Sequence, residues 1–186
     1  MTTRKGVVKK SALNNFSNPR RKGIWALDLD EGDEVVAARI VNEGQQVMIF
    51  TYQGMAVRFA EDKVRPMGRM ARGVKGVTLK EESDYVVGCE VVNGDETILV
   101  VCENGFGKRS LVEDFRQTNR GGVGVRSIVT SERNGNVVGA LCVADTDGMV
   151  MMTSSGQTIR ISMRDLRVLG RNTQGVKLAN LREGDF

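Results

Sequence analysis

The sequence predicts an all-β fold: a propeller-like array of about four four-stranded blades. Three observations predict it. A unit recurs every 51 residues, each unit reads as short strands punctuated by glycine turns, and no amphipathic helix of useful length is present. Four short strands in a unit of roughly 50 residues is the arithmetic of a propeller blade, in which small sheets bury their faces against neighbouring sheets.

The repeat is anchored on three segments, VMIFTYQG, ILVVCENG and VMMTSSG, which end at Gly54, Gly105 and Gly156 and so keep a spacing of 51. Arg58, Arg109 and Arg160 stand four residues after those glycines, and Arg69, Arg120 and Arg171 keep the same period. So do Gly73, Gly124 and Gly175, each followed by valine and a basic residue: Val74-Lys75, Val125-Arg126 and Val176-Lys177. A Val-Val pair recurs at 35–36, 86–87 and 137–138. A less regular copy lies upstream. Gly6 takes the place of the turn glycine, Lys10 the basic place four residues on, and Gly23 the second glycine, with Arg20, Arg21 and Lys22 before it. The Gly6–Gly54 spacing is 48, a deletion of three residues. The approximate repeats are 1–44, 45–94, 95–146 and 147–186 in a single domain. The first copy lacks the apolar run before its turn. The last, ending in Glu183-Gly184-Asp185-Phe186, lacks its Val-Val strand, as in a fragment of a longer array.

Each element of the unit has its own signal. Residues 47–50, 98–101 and 149–152 are continuous apolar runs, as expected of strands buried on both faces. After the turn, Met55, Val57 and Phe59 alternate with Ala56 and Arg58, the period of a half-buried strand. Residues 73–79 and 85–92 supply a third and a fourth strand, separated by glycine turns such as Asn93-Gly94 and Asp147-Gly148. Short helical turns are expected near Arg65 or Arg164. Gly54, Gly105 and Gly156 supply positive φ in hairpins. Gly73, Gly124 and Gly175 allow close strand packing and leave the backbone open to an anion. Trp25 is expected in the core or between units.

Composition narrows function. The chain holds 27 Lys and Arg against 23 Asp and Glu, so any basic surface must come from placement rather than total charge. It has no histidine, which removes Ser-His-Asp and Cys-His catalysis, His-ligated zinc and the usual near-neutral general base. Cys89, Cys102 and Cys142 sit far apart in apolar runs and read as reduced, buried, structural residues, in keeping with a cytoplasmic setting. No run approaches the length of a membrane span. Gly105-Phe106-Gly107-Lys108-Arg109-Ser110 lacks the earlier glycine and the Ser/Thr of a phosphate loop, and no Gly-x-Ser-x-Gly elbow occurs. No metal site or catalytic residue is expected.

The recurring arginines carry the functional reading. Arginine binds phosphate through a planar fork, and regularly spaced basic positions along a rim suit a regular polyanion such as duplex DNA. One candidate set is Lys10, Arg58, Arg109 and Arg160. Another is Arg69, Arg120 and Arg171, together with Lys75, Arg126 and Lys177. Flanking candidates are Lys5, Lys9, Arg20, Arg21, Arg65, Arg72, Lys108 and Arg164. Acidic turns at 31–33, 81–84 and 183–185 are expected on the opposite edge.

Four stretches, GVVKKSALNNFSNPR (6–20), AVRFAEDKVRPMGRMARGVKGV (56–77), ENGFGKRS (103–110) and VLGRNTQGVKL (168–178), make the chain resemble the C-terminal domain of the DNA gyrase A subunit over essentially its whole length. The resemblance implies a β-pinwheel, a propeller-like disc whose blades exchange strands. It implies a non-catalytic domain, monomeric in isolation, that binds and wraps duplex DNA in the cytoplasm and nucleoid. Within a type II topoisomerase it would work with the remainder of the gyrase A subunit, together with the gyrase B subunit, to support ATP-dependent negative supercoiling. ATP and Mg are implied only for the complete enzyme, and no cofactor for this domain. The family's Gln-Arg-Arg-Gly-Gly-Lys-Gly box has its nearest match in Thr118-Asn119-Arg120-Gly121-Gly122-Val123-Gly124, where Val123 replaces the lysine, and by context this resembles a later blade. The alternatives are the related C-terminal domain of topoisomerase IV, carried on its A-type subunit, and a protein-interaction propeller.

Overall fold

The computed structural model describes residues 1–182, 184 and 185. Its strands, in chain order, are β1 (Thr2–Thr3), β2 (Val7–Val8), β3 (Val35–Ala37), β4 (Gln46–Thr51), β5 (Met55–Ala60), β6 (Val74–Lys75), β7 (Val86–Val92), β8 (Thr97–Cys102), β9 (Phe106–Leu111), β10 (Val125–Arg126), β11 (Val137–Val143), β12 (Gly148–Met152), β13 (Thr158–Ser162) and β14 (Val176–Lys177). They form three four-stranded sheets, β3-β1-β2-β6, β7-β4-β5-β10 and β11-β8-β9-β14, and a two-stranded sheet, β12-β13. Single turns of 3-10 helix follow β5, β9 and β13, at Glu61–Lys63, Val112–Asp114 and Met163–Asp165.

The sheet orders show the exchange of strands. β6 follows β5 in the chain but pairs with β2 of the preceding blade, Val7 opposite Lys75 and Val8 opposite Val74. β10 likewise pairs with β5, and β14 with β9. The strand expected over residues 73–79 is thus shorter and belongs to the neighbouring sheet. Glycine makes the exchange possible: at Gly124, φ is +82°, and a Cβ there would lie 2.1 Å from the Ala56 carbonyl oxygen. Thr2–Thr3 fills the place where the first copy was expected to lack a strand.

The continuous apolar run of β4 is buried on both faces, as its composition predicts. Met48 and Phe50 join Ile98, Val100 and Phe115 in one cluster, while Val47 and Ile49 join Val8 and Val86 in another. Every core cluster therefore spans two blades. Phe50 and Phe115 meet edge to face, with ring centroids 6.5 Å apart. Neighbouring sheets approach each other at β3, β7 and β11, the strands that carry the Val-Val pairs. The exchanged strands β6, β10 and β14 lie at the opposite, outer edges.

The cysteines are free; Cys89 and Cys102 are buried and Cys142 half-buried. Burial pushes the Cys102 thiol up to about 12 and the Cys142 thiol up to about 11, so neither is a ready nucleophile. Trp25 corrects the sequence expectation: it is 72% exposed. Following Gly23 and Ile24, it holds the position that Lys75, Arg126 and Lys177 hold after their glycines, and that position points outward.

Candidate nucleic-acid interface

After each 3-10 turn the chain crosses to the preceding blade. The crossing is hydrogen-bonded in the same register each time: Met67 N–H donates to the Lys10 carbonyl at 2.8 Å, Thr118 N–H to Arg58 at 2.8 Å and Leu169 N–H to Arg109 at 2.7 Å. The crossing segments, residues 64–75, 115–126 and 166–177, end in the exchanged strands and so run along the outer edges. They carry ten of the 27 basic residues, most of them in matching positions.

Arg65, Arg116 and Arg167 open the segments, 51 residues apart, all exposed and without an ion-pair partner among the described residues. Arg116 and Arg167 lie outside the sets expected from the sequence, although the same period that marks the other arginines identifies them. Lys75, Arg126 and Lys177 close the segments, also exposed. Between them lie Arg69, Arg120 and Arg171, each half-buried. Arg120 donates to the carbonyls of Lys63 (2.8 Å) and Lys75 (3.1 Å). Arg171 makes the equivalent bonds one unit later, to Asp114 (3.1 Å) and Arg126 (3.3 Å). A guanidinium has five N–H donors, so each clamp leaves donors over for an anion. Arg69 donates to the Trp25 carbonyl at 3.2 Å, and Arg72 is paired with Asp30, whose carboxyl that bond holds below its usual range. Arg20 and Arg21 are exposed in the first copy, and Arg164 is exposed in the last 3-10 turn.

The other arginine series has a different place. Lys10 pairs with the Glu61 carboxylate and donates to the Glu61 carbonyl. Arg58 donates to the carbonyls of Val112 (2.8 Å) and Phe115 (2.9 Å), and desolvation lowers its pKa. Arg109 is 5% exposed and donates to Asp145 at 2.6 Å. Lys10 and Arg58 bolt their hairpins to the next unit and Arg109 ties its strand to the loop after β11, and the structure does not bring these three to the rim with the second series. Arg160 of the same register is exposed. Lys9 and Lys108 are also corrected as surface contacts: they are 1% and 0% exposed, their ammonium groups bonded to backbone carbonyls. Lys5 stays exposed but donates to the Glu31 carbonyl at 2.6 Å, beside an acidic turn.

The acidic turns sit at the hairpins between middle strands. Asp33 accepts from the Lys5 amide (2.9 Å), Asp84 from the Gln53 amide (3.0 Å) and Asp185 from the Ser155 amide (2.9 Å). Hydrogen bonds, that of the Ser154 hydroxyl foremost, hold the Asp185 carboxyl below its usual range. Glu183 of the last turn lies outside the described residues. Negative charge therefore caps the hairpin ends while positive charge lines the outer edges.

Four units that exchange edge strands and carry basic residues in register along their outer edges define a propeller-type repeat domain with a cationic rim. The particular family follows from comparison. The family model of the DNA gyrase C-terminal domain, a β-propeller, matches residues 1–42, 45–93, 96–144 and 149–186, and the chain belongs to that family. The DNA gyrase A subunit of Chlamydia muridarum is 63% identical over 186 residues, covering 100% of this chain and 22% of the relative. The chain thus spans about a fifth of that relative's length. Among solved structures, the C-terminal domain of DNA topoisomerase IV superposes with a TM-score of 0.90 at 27% identity, covering 96% of this chain and 56% of that one. A DNA gyrase A C-terminal domain superposes with a TM-score of 0.87 at 26% identity, covering 99% and 61%. The described residues contain no helix long and apolar enough to cross a membrane.

Proposed function

We propose that the chain is a non-catalytic module that binds duplex DNA along its outer edges and bends it, and that in a complete gyrase it supports negative supercoiling together with the rest of the A subunit, in concert with the B subunit. The observation that carries this reading is the register of Arg65, Arg116 and Arg167 with Lys75, Arg126 and Lys177, all exposed on the crossing segments. Guanidinium and ammonium groups at fixed intervals meet backbone phosphates without reading bases, so specificity rests on DNA deformability. Bending a site by tens of degrees costs about 1–6 kcal/mol, which several such contacts together offset. Topoisomerase IV and gyrase structures fit this fold about equally well, and the sequence relatives favour gyrase. The chain itself needs no cofactor for this task; ATP and Mg belong to the complete enzyme.

The test is the affinity of the chain for a duplex of about 100 base pairs across a salt series. A steep negative slope of log affinity against log salt, reporting several released counterions, is the expected result. No binding at low salt would overturn the reading.

A further inference from the structure

Lys108 lies on β9, fully buried, and no carboxylate pairs with it among the described residues. Its ammonium donates to the carbonyls of Gly170, at 2.8 Å, and Arg171. Two residues along the same strand, the Ser110 hydroxyl donates to the Leu169 carbonyl at 2.7 Å. Three consecutive carbonyls are thereby drawn toward β9. The amides of Gly170, Arg171 and Asn172 find no acceptor among the described residues. Free backbone amides and a guanidinium in one short loop are the donors that a phosphate accepts from.

Packing alone does not require a lysine here. One unit earlier the same register holds Val57, 1% exposed, and one unit later Ile159. Burying an ammonium costs free energy, so its carbonyl bonds must offset that cost. The first blade repeats the device: Lys9 donates to the carbonyls of Arg69 (2.6 Å) and Ala26 (2.8 Å). A buried lysine thus holds the loops of Arg69 and Arg171, while the loop of Arg120 has none.

We propose that Lys108 is a positioning residue: it turns the carbonyls of residues 169–171 inward, so that the amides of residues 170–172 and Arg171 form a seat for one phosphate of duplex DNA, and Lys9 does the same for the loop of Arg69. The inference rests on the proposed DNA-binding function.

A double-mutant cycle on the whole chain tests it, with Lys108→Met, Arg171→Ala and the double variant binding a duplex of about 100 base pairs. Each single substitution is expected to weaken binding by about 3–10-fold, and the double variant to bind no more weakly than Arg171→Ala alone. Multiplying single effects would overturn the positioning role, and so would an Arg171→Ala variant that binds like the unmodified chain. Absence of DNA binding by the unmodified chain would instead sink the parent reading.

If Lys108→Met fails to fold, the pH profile of the native chain against Arg171→Ala decides. Desolvation lowers the Lys108 pKa to about 8, and the charged or titratable groups facing it are Asp114, Arg171 and Cys102. Affinity of the native chain is expected to fall several-fold from pH 7 to 9, with a flatter profile for Arg171→Ala. Parallel profiles would overturn the proposal.

Discussion

The blade built on β8 and β9 and the blade built on β12 and β13 carry the same repeat, yet matched positions do different things. Leu99 is 0% exposed and Val150, 51 residues on, is 61% exposed. Arg109 is buried against Asp145, and Arg160 is exposed. A Cβ at Gly105 would lie 2.7 Å from the Ala179 carbonyl oxygen, whereas one at Gly156 would meet nothing within 4 Å. The difference lies in what covers the hairpin. β8 and β9 sit between β11 and β14, while β12 and β13 have no further partner strand among the described residues. A repeat residue is structural where the next unit is laid over it and a surface residue where it is not.

The largest expected effect tests that coverage directly. Gly105 and Gly156 share a positive φ, +76° and +85°, so alanine pays the left-handed backbone cost at both, about 1 kcal/mol. Only Gly105→Ala also collides with backbone, and it should cost about 2–4 kcal/mol in urea melts. Equal losses at the two sites would break the comparison. Next comes the arginine pair. Arg109→Met removes a buried donor from Asp145 and should cost about 1.5–3 kcal/mol, against under about 0.5 kcal/mol for Arg160→Met.

A third experiment sharpens the separation of bolt from rim. Replacing Arg65, Arg116 and Arg167 together with alanine should leave the melting midpoint almost unchanged, because all three are exposed. If each contacts one phosphate, the slope of log affinity against log salt should become shallower by about 2.7. An unchanged slope would remove this series from the interface.

How far these roles could be read in the sequence depends on whether local chemistry decides them. The period of 51 and the two-sided apolar runs placed the blades, because a strand such as residues 47–50 must be buried on both faces wherever it goes. Strand exchange was legible only through the family resemblance. Nothing near Val125 says that its partner is Ala56, about 70 residues upstream; Gly124, which lacks the Cβ that would collide with Ala56, only permits the pairing. Arg58 and Arg120 likewise look alike as residues in a periodic series. One is half-buried and bonded to the carbonyls that flank the next unit's 3-10 turn, and the other clamps the carbonyls of Lys63 and Lys75 with donors to spare. Arg116 and Arg167 were readable from the same period. The lysine–valine–lysine–isoleucine alternation at residues 9, 57, 108 and 159 was not, because it varies within the repeat instead of following it.

The smallest effect concerns that alternation, and its sign can be worked out. The Lys108 pKa is lowered to about 8, against about 10.4 for an unperturbed lysine. Between those values the unfolded chain holds a proton that the folded chain has lost, so this group makes stability rise with pH. Cys102 and Cys142 act oppositely. Raised to about 12 and about 11, they keep protons that the unfolded thiols lose from about pH 8.5, so their contributions fall as pH rises. The thiols cancel when the native chain is compared with Lys108→Met. The difference in unfolding free energy, native minus variant, should therefore rise in the native chain's favour from pH 7 to 10, in urea melts at each pH. A flat difference would mean that the carbonyls of Gly170 and Arg171 offset the desolvation of the ammonium fully. Lys108 would then stay charged well above pH 8, and its blade would differ from the Ile159 blade only in how the crossing loop is held.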